Sequence, residues 1–160
     1  MAGVPRLFHA MSDSDSWCTP ADLAADLGWF AVDPCSNARS HIQAGVTYQL
    51  ERNEDGLAAD WGTNSVFVNP PYSAPLAWAR KLSTHPGPWV ALVKLDTTTK
   101  WWRTLMETPG ALWSPFRGRL KFGAPGKHLT ANFASALVWK DWTPSAAMRT
   151  RLWAPIVGQP

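Results

Sequence analysis

Cysteine is scarce in this chain of 160 residues: Cys18 and Cys35 are the only two. They show neither zinc-type spacing nor a disulfide framework, which points to an intracellular protein. No apolar run approaches a membrane span, and the N-terminus lacks the charged-then-apolar pattern of a signal peptide. The four histidines (His9, His41, His85 and His128) are scattered and suggest no metal site. Internal repeats, low-complexity tracts and clear linkers are missing too. The chain therefore reads as a single domain over 17–160, after a loosely ordered segment 1–16. Charge is modest, with 15 Lys and Arg against 12 Asp and Glu, a formal +3 and a pI near 9.1. That balance permits nucleic acid as a partner without requiring it.

What is present is apolar bulk. Hydrophobic residues make up 46% of the chain, which excludes a disordered protein. Eleven tryptophans are unusual at this length. Most are expected in the core or between helices, with a few free to stack on bases.

The chain alternates strand and helix patterns. A helix is expected over 20–27, with Thr19 and Asp22 as a capping-box-like pair, Pro20 at its first position and Gly28 closing it. Trp29 to Val32 reads as a strand ending in Asp33-Pro34-Cys35, followed by a short helix over 36–44 and a strand over 46–49. Val66-Phe67-Val68 is a buried strand. Ser73 is expected to cap a helix over 74–84, buried through Leu76, Trp78, Ala79 and Leu82, with Arg80 and Lys81 outside. Trp89 to Val93 is a strand, and Asp96 to Thr99 caps a helix over 100–107. The last third reads as strands at 112–113, 119–122 and 134–140, with a loop over 123–130. The sum is a three-layer α/β domain ending in an antiparallel hairpin.

Asn69-Pro70-Pro71-Tyr72 stands out at the end of the third strand. Pro70 keeps Asn69 out of the helical region, Pro71 does the same to Pro70, and neither proline offers an N–H. The turn therefore fixes two acceptors, the Asn69 side-chain carbonyl and the Pro70 backbone carbonyl, beside an aromatic face. Such a pair suits an amino group with two hydrogens on a planar ring. An aromatic amine is a poor nucleophile, and two acceptors can take up the positive charge that grows as it attacks. The plainer reading is a strand terminator. Asp33 likewise reads as a turn residue or as a carboxylate at a strand end, where open α/β sheets bind ligands. Arg117, Arg119, Lys121, Lys127 and Lys140 read as a charged sheet edge or as phosphate contacts.

Five features taken together resemble the compact, phage-type family of DNA adenine-N6 methyltransferases (Dam-like). They are Trp17-Cys18-Thr19-Pro20, Val32-Asp33-Pro34-Cys35, Asp55-Gly56-Leu57 with Asp60-Trp61, Asn69-Pro70-Pro71-Tyr72, and Gly118-Arg119-Leu120-Lys121-Phe122. They occur in the family's order over roughly residues 15–142. The resemblance implies an abbreviated Rossmann-like class I methyltransferase fold, mostly parallel, with S-adenosylmethionine as methyl donor and double-stranded DNA as partner. Its setting would be the cytoplasm of a bacterium or of a phage-infected host cell. It makes Asn69, Pro70, Pro71 and Tyr72 the catalytic motif. It assigns Trp17, Thr19, Pro20, Asp33, Pro34, Cys35 and Asp60 to the cofactor, with Asp55 as an alternative to Asp60. Arg117, Arg119, Lys121 and Lys127 fall to DNA. The turn after the first strand, 36–40, departs from larger methyltransferases in having no glycine. The expected reaction is transfer to N6 of a flipped-out adenine by direct displacement. The alternatives are RNA adenine, a protein glutamine, or an inactive binding domain.

Overall fold

The computed structural model describes residues 18–124 and 127–157. Alternating patterns become a mixed α/β domain. The elements are α1 (Ala21–Leu27), β1 (Trp29–Ser36), β2 (Gln43–Gln49), β3 (Val66–Val68), α2 (Pro75–Thr84), β4 (Trp89–Lys94), α3 (Lys100–Met106), β5 (Leu112–Pro115), β6 (Lys121–Ala124), β7 (Lys127–Thr130), β8 (Ser135–Lys140), α4 (Ala146–Arg151) and β9 (Ile156–Val157). Seven strands form one sheet in the order β2-β1-β3-β4-β8-β5-β9, and β6 and β7 form a separate two-stranded sheet. The pairs β2–β1, β1–β3 and β3–β4 are parallel, and β8 enters antiparallel between β4 and β5.

The strand alternation shows why there are three layers. On β4, Trp89, Ala91 and Val93 face one core with Val66 and Val68 of β3, Trp78, Ala79 and Leu82 of α2, and Trp102 and Leu105 of α3. Val90 and Leu92 face the other, with Phe67, Leu23 and Leu27 of α1, Met148 of α4 and Phe122 of β6. Strands buried on both faces read as unbroken apolar runs, as β3 and β4 do. Trp61 stacks on Trp78 at 6.4 Å, and Trp102 meets Trp113 edge-on at 5.0 Å. These indoles fill the gap between helices and sheet, as expected for most of the tryptophans. Trp29 and Trp153, by contrast, stay exposed.

Several local expectations change. Residues 36–44 form no helix. Asn37 accepts from the Arg39 N–H at 2.9 Å and makes a tight turn, and Gln43 already pairs with Trp29. An asparagine that bonds its own backbone competes with helix formation. Thr19 does not cap α1, because Pro20 holds the N-cap position without a side-chain bond. Ser73 does not cap α2 either. Ala74 is the N-cap, and Pro75 presets the first turn. Thr99 does cap α3, accepting from the Trp102 N–H at 3.3 Å. The expected loop over 123–130 contains β7, paired antiparallel with β6 from Lys121↔Thr130 to Ala124↔Lys127. The sequence reading did not include α4. Ser145 caps it, and Arg151 ties it to Asp22 and Asp26 of α1.

Lys81 is not an outward-facing residue. Its Nζ donates to the carbonyls of Leu57 and Ala59 and lies 4.3 Å over the Trp61 ring. Asp55 accepts from the N–H groups of Leu57 and Ala58. Trp61 Nε1 donates to the Gly56 carbonyl at 2.9 Å. A Cβ at Gly56 would lie 1.8 Å from the Pro34 carbonyl oxygen. The Asp55-Gly56-Leu57 and Asp60-Trp61 features are thus a clamp that presses a loop backbone against the end of β1. No helix among the described residues is long and apolar enough to cross a membrane.

Candidate active site

The carboxyl ends of β1, β2, β3 and β4 lie at one edge of the sheet, and the chemistry-bearing residues gather there. Asn69 follows β3 directly, so the buried Val66–Val68 strand sets its position. The two prolines keep the next residues extended, and an extended chain points alternate residues to opposite sides. The structure bears this out. Asn69 and Pro71 line a cleft with Thr19, Asp33, Cys35, Ser36, Asn37, Ile42, Leu50 and Phe67. Pro70 and Tyr72 line a second cleft with Pro75, Val93, Lys94, Asp96, Thr99 and Trp101. The turn is the wall between the two.

The Asn69 Nδ2 donates to Thr19 Oγ1 at 3.4 Å. That bond turns the amide so that its carbonyl oxygen is left as the acceptor. Thr19 is buried, and its neighbour Cys18 reaches Asn37 Oδ1 through Sγ at 3.3 Å. The segment before α1 is therefore laced to both the loop after β1 and the turn after β3. The sequence reading placed Thr19 at the cofactor, and the structure adds its bond to Asn69.

Asp33 is 2% exposed. Burial pushes its carboxyl up from an ordinary 3.8 to about 6, against bonds from the Cys35 N–H and the Ser36 hydroxyl that favour the anion. No cation pairs with it among the described residues. A buried, unpaired carboxylate gives the first cleft a negative wall suited to a cationic or hydroxyl-rich ligand. The Gln49 side-chain oxygen, at the end of β2 opposite Ser36, is buried without a partner among the described residues. Pro34 lies under the clamp, its carbonyl against Gly56.

In the second cleft, burial pushes the Tyr72 phenol further above its ordinary value, so it stays protonated. Its ring meets Phe133 edge-on at 5.2 Å, and Phe133 lies 6.1 Å from Phe122 of β6. The hairpin thus buttresses Tyr72 through two rings. Lys94 Nζ sits 5.4 Å over Phe133.

Other sequence candidates scatter. Asp60 is not at the first cleft. It faces a separate depression with Trp61, Lys81, Thr84 and His85, and accepts from the Gly62 N–H. Asp55 is engaged in its own turn. Trp17 lies outside the described residues. Pro20, Arg119 and Lys121 line a third cleft, joined by His41 and Arg151. Thr19 lines both this cleft and the first. Arg117 is elsewhere, its Nε on the Leu152 carbonyl and its guanidinium 4.8 Å over Trp153. Lys127 sits in β7, opposite Ala124. Lys94, Asp96, Trp101 and Phe133 were not among the sequence candidates. A lysine ending a buried strand directly before a polar turn was the available signal for the first two.

No curated protein and no solved structure matches this chain. The model of the family described as DNA N-6-adenine-methyltransferase (Dam) matches residues 9–151, and the chain belongs to that family.

Proposed function

We propose that this chain transfers a methyl group from S-adenosylmethionine to N6 of an adenine in DNA, with the base turned out of the duplex into the Tyr72 cleft. The observation that carries the reading is the two-sided turn, with Asn69 and Pro71 facing one cleft and Pro70 and Tyr72 the other. A methyl transfer needs a donor and an acceptor on either side of one amine-holding point. Membership of the family supplies adenine as the acceptor class. Helices on both faces of the sheet and clefts at the strand ends support an abbreviated Rossmann-like methyltransferase domain.

The residues of the first cleft fit the cofactor. Asp33 offers a buried carboxylate and Phe67 an apolar floor. Thr19, Cys35, Ser36 and Asn37 complete the polar lining. When bound, S-adenosylmethionine supplies an electrophilic methyl group on a sulfonium.

The chain's own residues do the rest. Tyr72 gives the base a face to stack on. Asn69 Oδ1 and the Pro70 carbonyl accept the two amine hydrogens, favour a pyramidal nitrogen and stabilise the charge that develops on it. Thr19 keeps the Asn69 oxygen pointed at the amine. No strong base is required before transfer, because the proton leaves once the nitrogen is cationic. Positioning supplies most of the rate. Arg119 and Lys121, which line the third cleft, would meet DNA phosphates there.

The test is transfer from labelled cofactor to unmethylated DNA, followed by nucleoside analysis. Label in N6-methyldeoxyadenosine supports the proposal. Label in RNA adenosine or on glutamine of added protein redirects it, and cofactor binding with no transfer to any acceptor refutes it.

A further inference from the structure

We propose that Lys94, with the Asp96 carboxylate as a counter-charge in the same cleft, reads a ring nitrogen of the acceptor base, which makes Lys94 a specificity-determining residue. The inference rests on the reading of the Tyr72 cleft as the base pocket.

Lys94 is the last residue of β4, and Asp96 follows two residues later. Both line the cleft with Pro70, Tyr72 and Trp101. The Lys94 ammonium is held over Phe133, whose ring in turn meets Tyr72, so the charge sits beside the stacking face. Lys94 is exposed, and among the described residues its Nζ makes no ion pair within 4.0 Å, Asp96 included, so its charge is not tied to a carboxylate.

Adenine has acceptor nitrogens, N1 and N7, on either side of its amine. With the amine on Asn69 and Pro70, the neighbouring nitrogen needs a donor. Thr99 is already used, since its hydroxyl donates to the Asp96 carbonyl at 2.9 Å and accepts from Trp102. Lys94 is the charged donor in this cleft. A lone cation there would oppose the positive charge that grows on the attacking nitrogen. Asp96 offsets it. One Asp96 oxygen takes the Thr98 N–H and hydroxyl at 3.2 and 2.6 Å, which fixes the carboxylate. Those bonds, with a further contribution from the Lys94 charge, hold the carboxyl below its ordinary value, so it stays ionised. Lys94 can then recognise an acceptor nitrogen without placing net positive charge beside the reacting amine.

The test uses duplexes in which the methylated adenine, mapped on natural DNA, is replaced by 1-deazaadenine or 7-deazaadenine. For the wild type, one analogue should lower kcat/KM about tenfold or more, the cost of a hydrogen bond to a charged group. Lys94→Met should lose a similar factor on adenine and cease to distinguish adenine from that analogue. Lys94→Arg should restore part of the discrimination. Asp96→Asn, which keeps the acceptor for Thr98, should lower kcat with little change in KM. Equal wild-type use of both analogues, or unchanged discrimination in Lys94→Met, overturns the proposal while adenine methylation by the wild type keeps the parent reading intact. No transfer to DNA adenine by the wild type overturns both.

Discussion

Replacing Asp33 by asparagine should make the protein more stable while removing its hold on the cofactor. The Asp33 carboxyl titrates at about 6 in the folded chain against 3.8 ordinarily, and burial is the leading cause. The folded state therefore binds this proton more tightly than the unfolded chain does. The stability contribution is fully present below pH 3.8 and is lost as pH rises through 6. Relative to a group that does not titrate, the buried carboxyl therefore costs about 3 kcal/mol at pH 8 but only about 1 kcal/mol at pH 4.5, where the unfolded carboxyl is mostly ionised and the folded one is not. Asp33→Asn removes the titration and keeps an oxygen for the Cys35 N–H. Its advantage over the wild type should grow by about 2 kcal/mol between pH 4.5 and pH 8, or about 4–8 °C in Tm for a chain of this size. Thermal or urea denaturation of both proteins across that range measures it. In parallel, cofactor affinity of the wild type should fall below pH 6 as Asp33 protonates, and Asp33→Asn should bind weakly at every pH. A stability difference that does not change with pH would refute the reasoning, because burial would then not be what sets this carboxyl.

Thr19→Val should lower kcat by roughly tenfold with KM for DNA unchanged, since it releases the Asn69 amide from the bond that orients it among the described residues. Thr19→Ser should recover most of that rate. Gly56→Ala should cost about 2 kcal/mol or more in denaturation, because its Cβ would sit 1.8 Å from the Pro34 carbonyl oxygen, a backbone atom that cannot swing aside. Lys81→Met should lose about 1–3 kcal/mol through the two loop carbonyls left without their donor.

The buried strands were legible in the sequence because they are apolar on both faces. Val66–Val68 and Trp89–Val93 emerge close to their expected bounds. The Asn69-Pro70-Pro71-Tyr72 turn was legible because proline geometry is local. What the sequence could not show was the partner across space. Thr19 looks like a helix cap from its neighbours, and only the packing of α1 beneath β3 brings it to Asn69, fifty residues away. Asp60 sits in a motif beside Trp61, yet the loop turns it away from the cleft that holds Asp33. Lys81 falls on the outer face of α2 by helical periodicity, and the Asp55–Trp61 clamp covers it. The β6–β7 hairpin was missed in its second half because Lys127 to Thr130 carries little apolar alternation. It is anchored instead through Phe122 of β6, which lies against Phe133, whose ring meets Tyr72.

The claim that the Asn69–Tyr72 turn separates a cofactor cleft from a base cleft is tested most directly by Asn69→Ala. Its cofactor Kd and single-turnover methylation rate should be measured on one preparation. The account predicts a Kd within about threefold of the wild type and a rate lower by about a hundredfold or more, as for loss of one preorganised charge-stabilising group. A wild-type rate, or a rate that falls only in step with cofactor binding, would contradict it.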